Sequence, residues 1–423
     1  MKVNNQQNEQ TAGDIESAGG NNGQRQQVVV VGAGISGLCL AMRLKRAGID
    51  SFTILEKSDD VGGTWLDNSY PGCCCDVPSF LYSYSFAAKY DWSRKFSPQT
   101  EILDYFRQCA DRFDIRRHIR FETSVTTATW DSGAGVWRIE TEGGAQFVAD
   151  VFVSAVGQLS RPSIPKLDGI ESFGGAAFHS ARWNHDFDAT GRHVAVIGNG
   201  ASAIQLIPKL AETAGKVSVF QRSANWILPR HDCRYPGWLQ AVFRWVPGVA
   251  RCYRWWIYLL YELRILFYQR KTRRNNGFTW WARRQMRRVV PQTLQADVIP
   301  RYPAGCKRVL LSNDYLQSLH RDNVELVTDA IRGIEPEGIA TDKAVLPVDA
   351  IVYATGFEAT RFLYPMEIIG RDGIRLNEQW EKRPLTYLGL MAPGFPDFFM
   401  LYGPNTNLGH NSIIFMVECQ VNY

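Results

Sequence analysis

The sequence predicts an α/β protein built from two parallel-sheet nucleotide-binding units, the second inserted in the first, with a helical subdomain attached. Three observations lead there. Two glycine-rich turns, Gly32-Ala33-Gly34-Ile35-Ser36-Gly37 and Gly198-Asn199-Gly200-Ala201-Ser202-Ala203, each follow a short run of small β-branched residues. Two further small-residue strands, Val151-Phe152-Val153-Ser154-Ala155 and Ala350-Ile351-Val352-Tyr353-Ala354, run into Val156-Gly157 and Thr355-Gly356, and read as crossings between the units. Between the second turn and the second crossing stands a basic, aromatic stretch, residues 231–290. No repeat is evident beyond the two units.

Residues 1–27 are rich in Asn, Gln and Gly, almost without large apolar side chains, and are expected to form a disordered lead. Val28-Val29-Val30-Val31 is the continuous apolar run of a buried parallel strand. The turn after it opens a helix through Leu38-Cys39-Leu40-Ala41-Met42-Arg43-Leu44, and this strand-turn-helix setting raises a glycine motif above coincidence. Gly32 permits the tight turn, Gly34 lets the backbone approach a pyrophosphate, and Gly37 lets the helix lie close on the strand, its N-terminus facing the anion. The strand Phe52-Thr53-Ile54-Leu55 ends in Glu56, an acid placed to accept from a free ribose 2′-hydroxyl and to repel a 2′-phosphate. Site one therefore suits FAD or NAD.

The second turn follows Val194-Ala195-Val196-Ile197, and the next strand, Val217-Ser218-Val219-Phe220, runs into Gln221-Arg222-Ser223 where the acid would stand. A guanidinium there can pair with a 2′-phosphate, so site two suits NADPH. The expected division is an FAD-binding unit of residues 28–157 and 355–423, an NADPH-binding unit of 158–230 and 300–354, and a helical insertion of 231–299. The prolines of Arg161-Pro162-Ser163-Ile164-Pro165 suit a linker at the first crossing.

Composition agrees. The 423 residues are 45% apolar and 21% charged, as in an ordinary globular enzyme of two or three domains. Nine cysteines and no apolar signal region point to reduced thiols and a cytoplasmic protein. Cys73-Cys74-Cys75 lacks CxxC spacing, so no metal site is expected there. The net charge of +5 is unevenly placed: residues 231–290 hold thirteen Arg or Lys against Asp232 and Glu262 alone. Trp238, Trp245, Trp255, Trp256, Trp280 and Trp281 stand in the same stretch, and Glu262 and Arg264 break the run Ile257-Tyr258-Leu259-Leu260-Tyr261 well short of a membrane span. Two readings follow: a solvated basic face, or a peripheral membrane contact through 236–281 that admits a lipophilic substrate. No motif for nucleic acid accompanies the basic residues.

Phe173-Gly174-Gly175-Ala176-Ala177-Phe178-His179-Ser180-Ala181-Arg182-Trp183 fits an FxGxxxHxxxW fingerprint between the two turns. With Gly62-Gly63-Thr64-Trp65, the Tyr70-Pro71-Gly72 segment leading to Asp76, Gly305-Cys306-Lys307-Arg308 and Ala354-Thr355-Gly356, it makes the chain resemble the Baeyer–Villiger monooxygenases and their relatives, the flavin-containing monooxygenases, over residues 28–423. The resemblance implies that NADPH reduces FAD, that O2 adds at the flavin C4a position, and that the peroxide attacks a ketone, or is attacked by an amine or sulfur. It makes Arg308 the catalytic arginine and Asp76 the carboxylate that positions it. It implies FAD contacts at Glu56, Gly63, Thr64, Trp65, Asp67, Asp76, Tyr82, Val125 and Ile413. For NADPH it implies contacts at Gly198, Gly200, Ser202, Arg222, Ser223 and Lys307. His179 and Trp183 are expected to organise the linker rather than react. Asn184 stands where the Baeyer–Villiger branch usually has Pro or Asp, which keeps an N- or S-oxygenating enzyme as the alternative. After Tyr402-Gly403-Pro404-Asn405-Thr406-Asn407-Leu408-Gly409-His410-Asn411-Ser412, which resembles the flavin-facing loop, relatives usually continue further than Tyr423, so a shortened chain that binds cofactors without coupled turnover is a further expectation.

Overall fold

The computed structural model describes residues 26–269 and 272–423, so the predicted disordered lead lies outside the described residues except for its last two. The valine run Val28–Val31 is the central strand of a five-stranded parallel sheet, flanked by Phe52–Leu55 and Val151–Ser154, with Ile119–Arg120 and Phe398–Met400 at the edges. Its four side chains are at most 8% exposed. Both faces of such a strand are covered, which is why it reads as an unbroken apolar run; each valine contributes about 1.5–3 kcal/mol of burial. The helix Ile35–Arg46 follows directly, ending in Arg43, Lys45 and Arg46, whose charges suit its carbonyl end.

A second five-stranded parallel sheet has His193–Ile197 between Lys216–Phe220 and Ala350–Tyr353, with Val324–Val327 and Ala176–His179 outermost. Its strands all come from residues 176–353, whereas the first sheet takes strands from both sides of that span. Val151–Ser154 thus ends in the first sheet and Ala350–Tyr353 in the second.

Two further sheets lie outside the sequence expectations. One, mixed, has four strands, with Val125–Asp131 parallel to Glu367–Ile369 and antiparallel to Val136–Thr141, which in turn pairs antiparallel with Gln146–Ala149; the other is antiparallel with three strands, Ile331–Glu335, Gly338–Thr341 and Val345–Pro347. Between Lys216–Phe220 and Val324–Val327, the third and fourth strands of the second parallel sheet in chain order, the chain is largely helical, through Gly237–Trp245, Val249–Leu263, Ile265–Tyr268, Arg273–Val289 and Gln295–Val298. No described helix is long and apolar enough to cross a membrane. The final helix, Ile413–Asn422, packs along Ile35–Arg46.

Candidate active site

The two glycine turns share one geometry. Gly32 and Gly198 hold φ of +103° and +119°, and a Cβ on them would lie 2.8 and 2.4 Å from the carbonyl oxygens of Ala155 and Ala354. Those oxygens belong to the two crossings. A Cβ at Gly37 would fall on the Gly32 carbonyl oxygen, so the helix can sit against the turn only as glycine. The Gly34 backbone faces Gly63, whose Cα lies 3.6 Å from a Cβ built there, while a Cβ at Gly200 would meet nothing within 4 Å. Both following helices, Ile35–Arg46 and Ala203–Thr213, begin without a side-chain cap bond and without an acid in the first turn. Free N–H groups at an approachable backbone fit a dinucleotide pyrophosphate at each turn.

Beyond the turns the two sites diverge. Glu56 is buried; its Oε2 accepts from the Ala33 N–H at 2.6 Å and its Oε1 from the Ser58 N–H at 2.9 Å. A carboxylate has about four acceptor positions, which leaves capacity for a ribose hydroxyl. Gln221, in the matching place, accepts from the Asn199 side-chain amide at 2.7 Å and donates to the Asp297 carbonyl. Next to it Arg222, Ser223 and Lys307 are all exposed, and the Lys307 ammonium donates to the Ser223 hydroxyl at 2.8 Å. Residues 84 positions apart thus meet at the open side of the second turn.

The Gly63 loop opens the short helix Thr64–Asp67. Trp65 is buried there and donates its indole N–H to the Tyr82 hydroxyl at 3.1 Å. Asp67 faces the Arg182 guanidinium of the fingerprint at 3.0 Å. Ile413 starts the final helix, which Ser412 caps by accepting from the Ile414 N–H. Val125 begins a strand two residues after Thr123, whose N–H donates to the Glu56 carbonyl.

Asp76 and Arg308, 232 residues apart, form a bidentate pair in which one terminal guanidinium nitrogen lies 2.7 and 2.6 Å from the two carboxylate oxygens. The pair is open on one side: the Arg308 side chain is 47% exposed and that of Asp76 is 22% exposed. The adjacent carboxylate raises the arginine above its already high ordinary range, so it stays charged. Burial lifts the Tyr402 phenol to about 12 although Arg308 opposes this, so Tyr402 remains a neutral hydroxyl beside the pair. Burial likewise lifts the Cys73 thiol to about 12 and raises Cys74 and Cys75, which makes the cysteine run inert packing. No metal-ligating cluster exists among the described residues. The loop carrying Arg308 is braced from the helical insertion: Asn275 donates to the Ala304 and Phe267 carbonyls at 2.8 and 2.7 Å. Glu262 accepts from Asn411, tying the same insertion to the C-terminal loop.

The residues before Asp76 clasp the second unit. Gln205, one turn into the helix Ala203–Thr213, accepts from the Tyr70 hydroxyl and the Cys74 N–H at 3.0 and 3.2 Å and donates to the Cys74 carbonyl at 3.1 Å. Gly72, at φ +82°, passes so close that a Cβ would stand 2.6 Å from the Gln205 carbonyl oxygen. Gln205 and Gln158, which donates to the Tyr402 carbonyl, were not legible as site residues because their partners lie more than 100 residues away. Arg182 could have been noticed, since it stands inside the fingerprint. His179 is buried, accepts from the Ala181 N–H through Nδ1, and sits at the end of the edge strand Ala176–His179; Trp183 packs edge-on against Phe178. Burial pulls the His179 imidazole below its usual range, which favours the neutral, structural form.

Two parallel sheets, two glycine turns of one geometry and a charged arginine paired with a carboxylate 232 residues away fit a two-dinucleotide oxidoreductase. Residues 25–366 match the flavin-binding monooxygenase-like family. A Baeyer–Villiger monooxygenase of Streptomyces coelicolor is 41% identical over 399 residues, covering 94% of this chain and 77% of that protein. Among solved structures, OTEMO in complex with FAD and NADP superposes with a TM-score of 0.85 at 32% identity, covering 94% of this chain and 84% of that one. An oxidised steroid monooxygenase bound to NADP gives 0.83 at 36% identity with the same coverage. The chain belongs to the flavin-binding monooxygenase family.

Proposed function

We propose that this flavoprotein monooxygenase, which uses FAD and NADPH, carries out Baeyer–Villiger oxidation of a lipophilic ketone to an ester or lactone, in secondary metabolism and with peripheral membrane contact through 236–281. FAD falls to the unit of residues 28–157 and 355–423, NADPH to 158–230 and 300–354, and 231–299 is the helical insertion. The observation that carries the reading is the Asp76–Arg308 pair at the junction of the units.

Bound FAD, reduced by NADPH, supplies the activation of O2. Arg308 then does what a fixed, permanently charged donor does best: it holds negative charge on oxygen while the ketone carbonyl becomes tetrahedral. Asp76 aims the guanidinium, and because the pair stays partly open, donors of Arg308 not used by Asp76 remain for the reacting oxygen. Glu56, Gly34, Gly63, Trp65, Tyr82 and Asp67 would hold FAD; Arg222, Ser223 and Lys307 would grip the NADPH 2′-phosphate. The relation to a steroid monooxygenase supports a bulky apolar substrate.

Arg308→Ala is expected to keep reduction of the flavin by NADPH while product formation from a ketone panel falls about 10²–10³-fold. Undiminished lactone formation would overturn the assignment. Asn184, standing where the Baeyer–Villiger branch usually has Pro or Asp, supports the second reading, N- or S-oxygenation. Product from thioethers and amines with none from ketones would select it.

A further inference from the structure

The helix Val249–Leu263 carries two apolar faces. Ile257 and Tyr261 are buried on one. On the other, Cys252, Trp255, Trp256, Leu259, Leu260 and Leu263 recur at the i, i+3, i+4, i+7 spacing of one helical stripe, and all are exposed; Trp255 is 62% exposed and Leu259 56%. A surface helix normally hides its single stripe, and a bare apolar patch of this width marks an interaction surface. Trp238, Trp245, Phe267 and Trp280 are also exposed on the neighbouring helices. Cys252 and Trp256 also edge a groove of about 720 Å³ floored by Tyr235, Leu239, Phe243 and Tyr253.

Charge selects the occupant. Arg244, Arg251, Arg273, Arg274, Arg287 and Arg288 are exposed on the same helices, while the only acid between 237 and 290 is Glu262, which is engaged by Asn411 and lies 3.7 Å from His410. A second copy of this face would set arginines against arginines. Tryptophan, leucine and arginine without free acids is the composition that settles at the headgroup boundary of an anionic bilayer. We propose that this face docks on an anionic lipid surface, with the Trp255–Leu259–Leu263 stripe among the acyl chains and the arginines on the headgroups. The inference deepens the peripheral contact proposed for 236–281 and rests on it. Another side of the same helix packs on the final helix Ile413–Asn422, with Tyr258 against Phe415 at 4.9 Å between ring centres, so docking sets the bilayer one helix away from the C-terminal segment.

The test is sedimentation of the FAD-loaded protein with vesicles of phosphatidylcholine alone or mixed equally with phosphatidylglycerol. Binding to the mixed vesicles only, released by salt, is expected. Trp255→Ser with Leu259→Ser is expected to weaken it about tenfold or more at unchanged flavin content and unchanged NADPH oxidation in solution; Arg251→Glu is expected to weaken it about fivefold. Equal binding to both vesicles would overturn the anionic-lipid inference and leave the membrane contact standing. No binding to either would overturn both. Self-association abolished by the double substitution would assign the face to a second copy instead.

Discussion

The two glycine turns are built on one plan and finished in opposite ways. In each, a glycine of positive φ presses on an alanine carbonyl of the crossing strand, at Ala155 and at Ala354. The first is then sealed by a buried carboxylate that accepts from the turn's own backbone; the second ends in an amide whose partner is the Asn199 side chain, with two exposed cations beside it. A sealed turn suits a cofactor that stays, and an open one suits a cofactor that must leave each cycle.

The largest expected effect tests the seal. Glu56→Leu strips acceptors from the Ala33 and Ser58 N–H groups at about 1–3 kcal/mol each, so flavin per chain after gel filtration should fall about 30-fold or more. Gln221→Leu should change NADPH binding only a few-fold, because Gln221 bonds no backbone N–H of the turn and the Asn199 amide keeps a second acceptor in the Ser223 carbonyl. Equal losses would erase the contrast. On the open side, Arg222→Ala should raise the KM for NADPH about tenfold and leave that for NADH unchanged. Lys307→Ala should do the same more weakly, about threefold, because the ammonium is exposed, and the difference should shrink in high salt. Steady-state kinetics with both nucleotides decides these.

The smallest effect concerns His179 at the linker. Burial lowers its proton affinity in the folded chain, so the unfolded chain binds more protons and stability falls as pH drops below the ordinary imidazole value of about 6.5. His179→Asn should flatten that fall in thermal midpoint between pH 7 and pH 5. Parallel curves would show that His179 contributes nothing to it.

Much of this contrast was legible in the chain. Val28–Val31 and Ala350–Tyr353 could be read because parallel strands buried on both faces leave unbroken β-branched runs. Val125–Asp131 could not, since a half-exposed strand shows only a weak alternation across Thr126, Thr127 and Thr129. Arg222 and Ser223 followed from local spacing, but Lys307 beside Ser223 and Asp76 beside Arg308 came only through family resemblance, because no local periodicity encodes a contact across 84 or 232 residues. The clasp of Gln205 on residues 70–74 was invisible for the same reason. The tryptophan-rich stretch was read as helical, yet periodicity alone did not reveal that one helix bares a second apolar stripe.

The insertion of one sheet within the other also sets an order of biosynthesis. The second sheet draws all its strands from residues 176–353, so it can close while the ribosome is still working, whereas the first waits for Phe398–Met400 to pair with Val151–Ser154. The unit that starts first on the nascent chain is completed last.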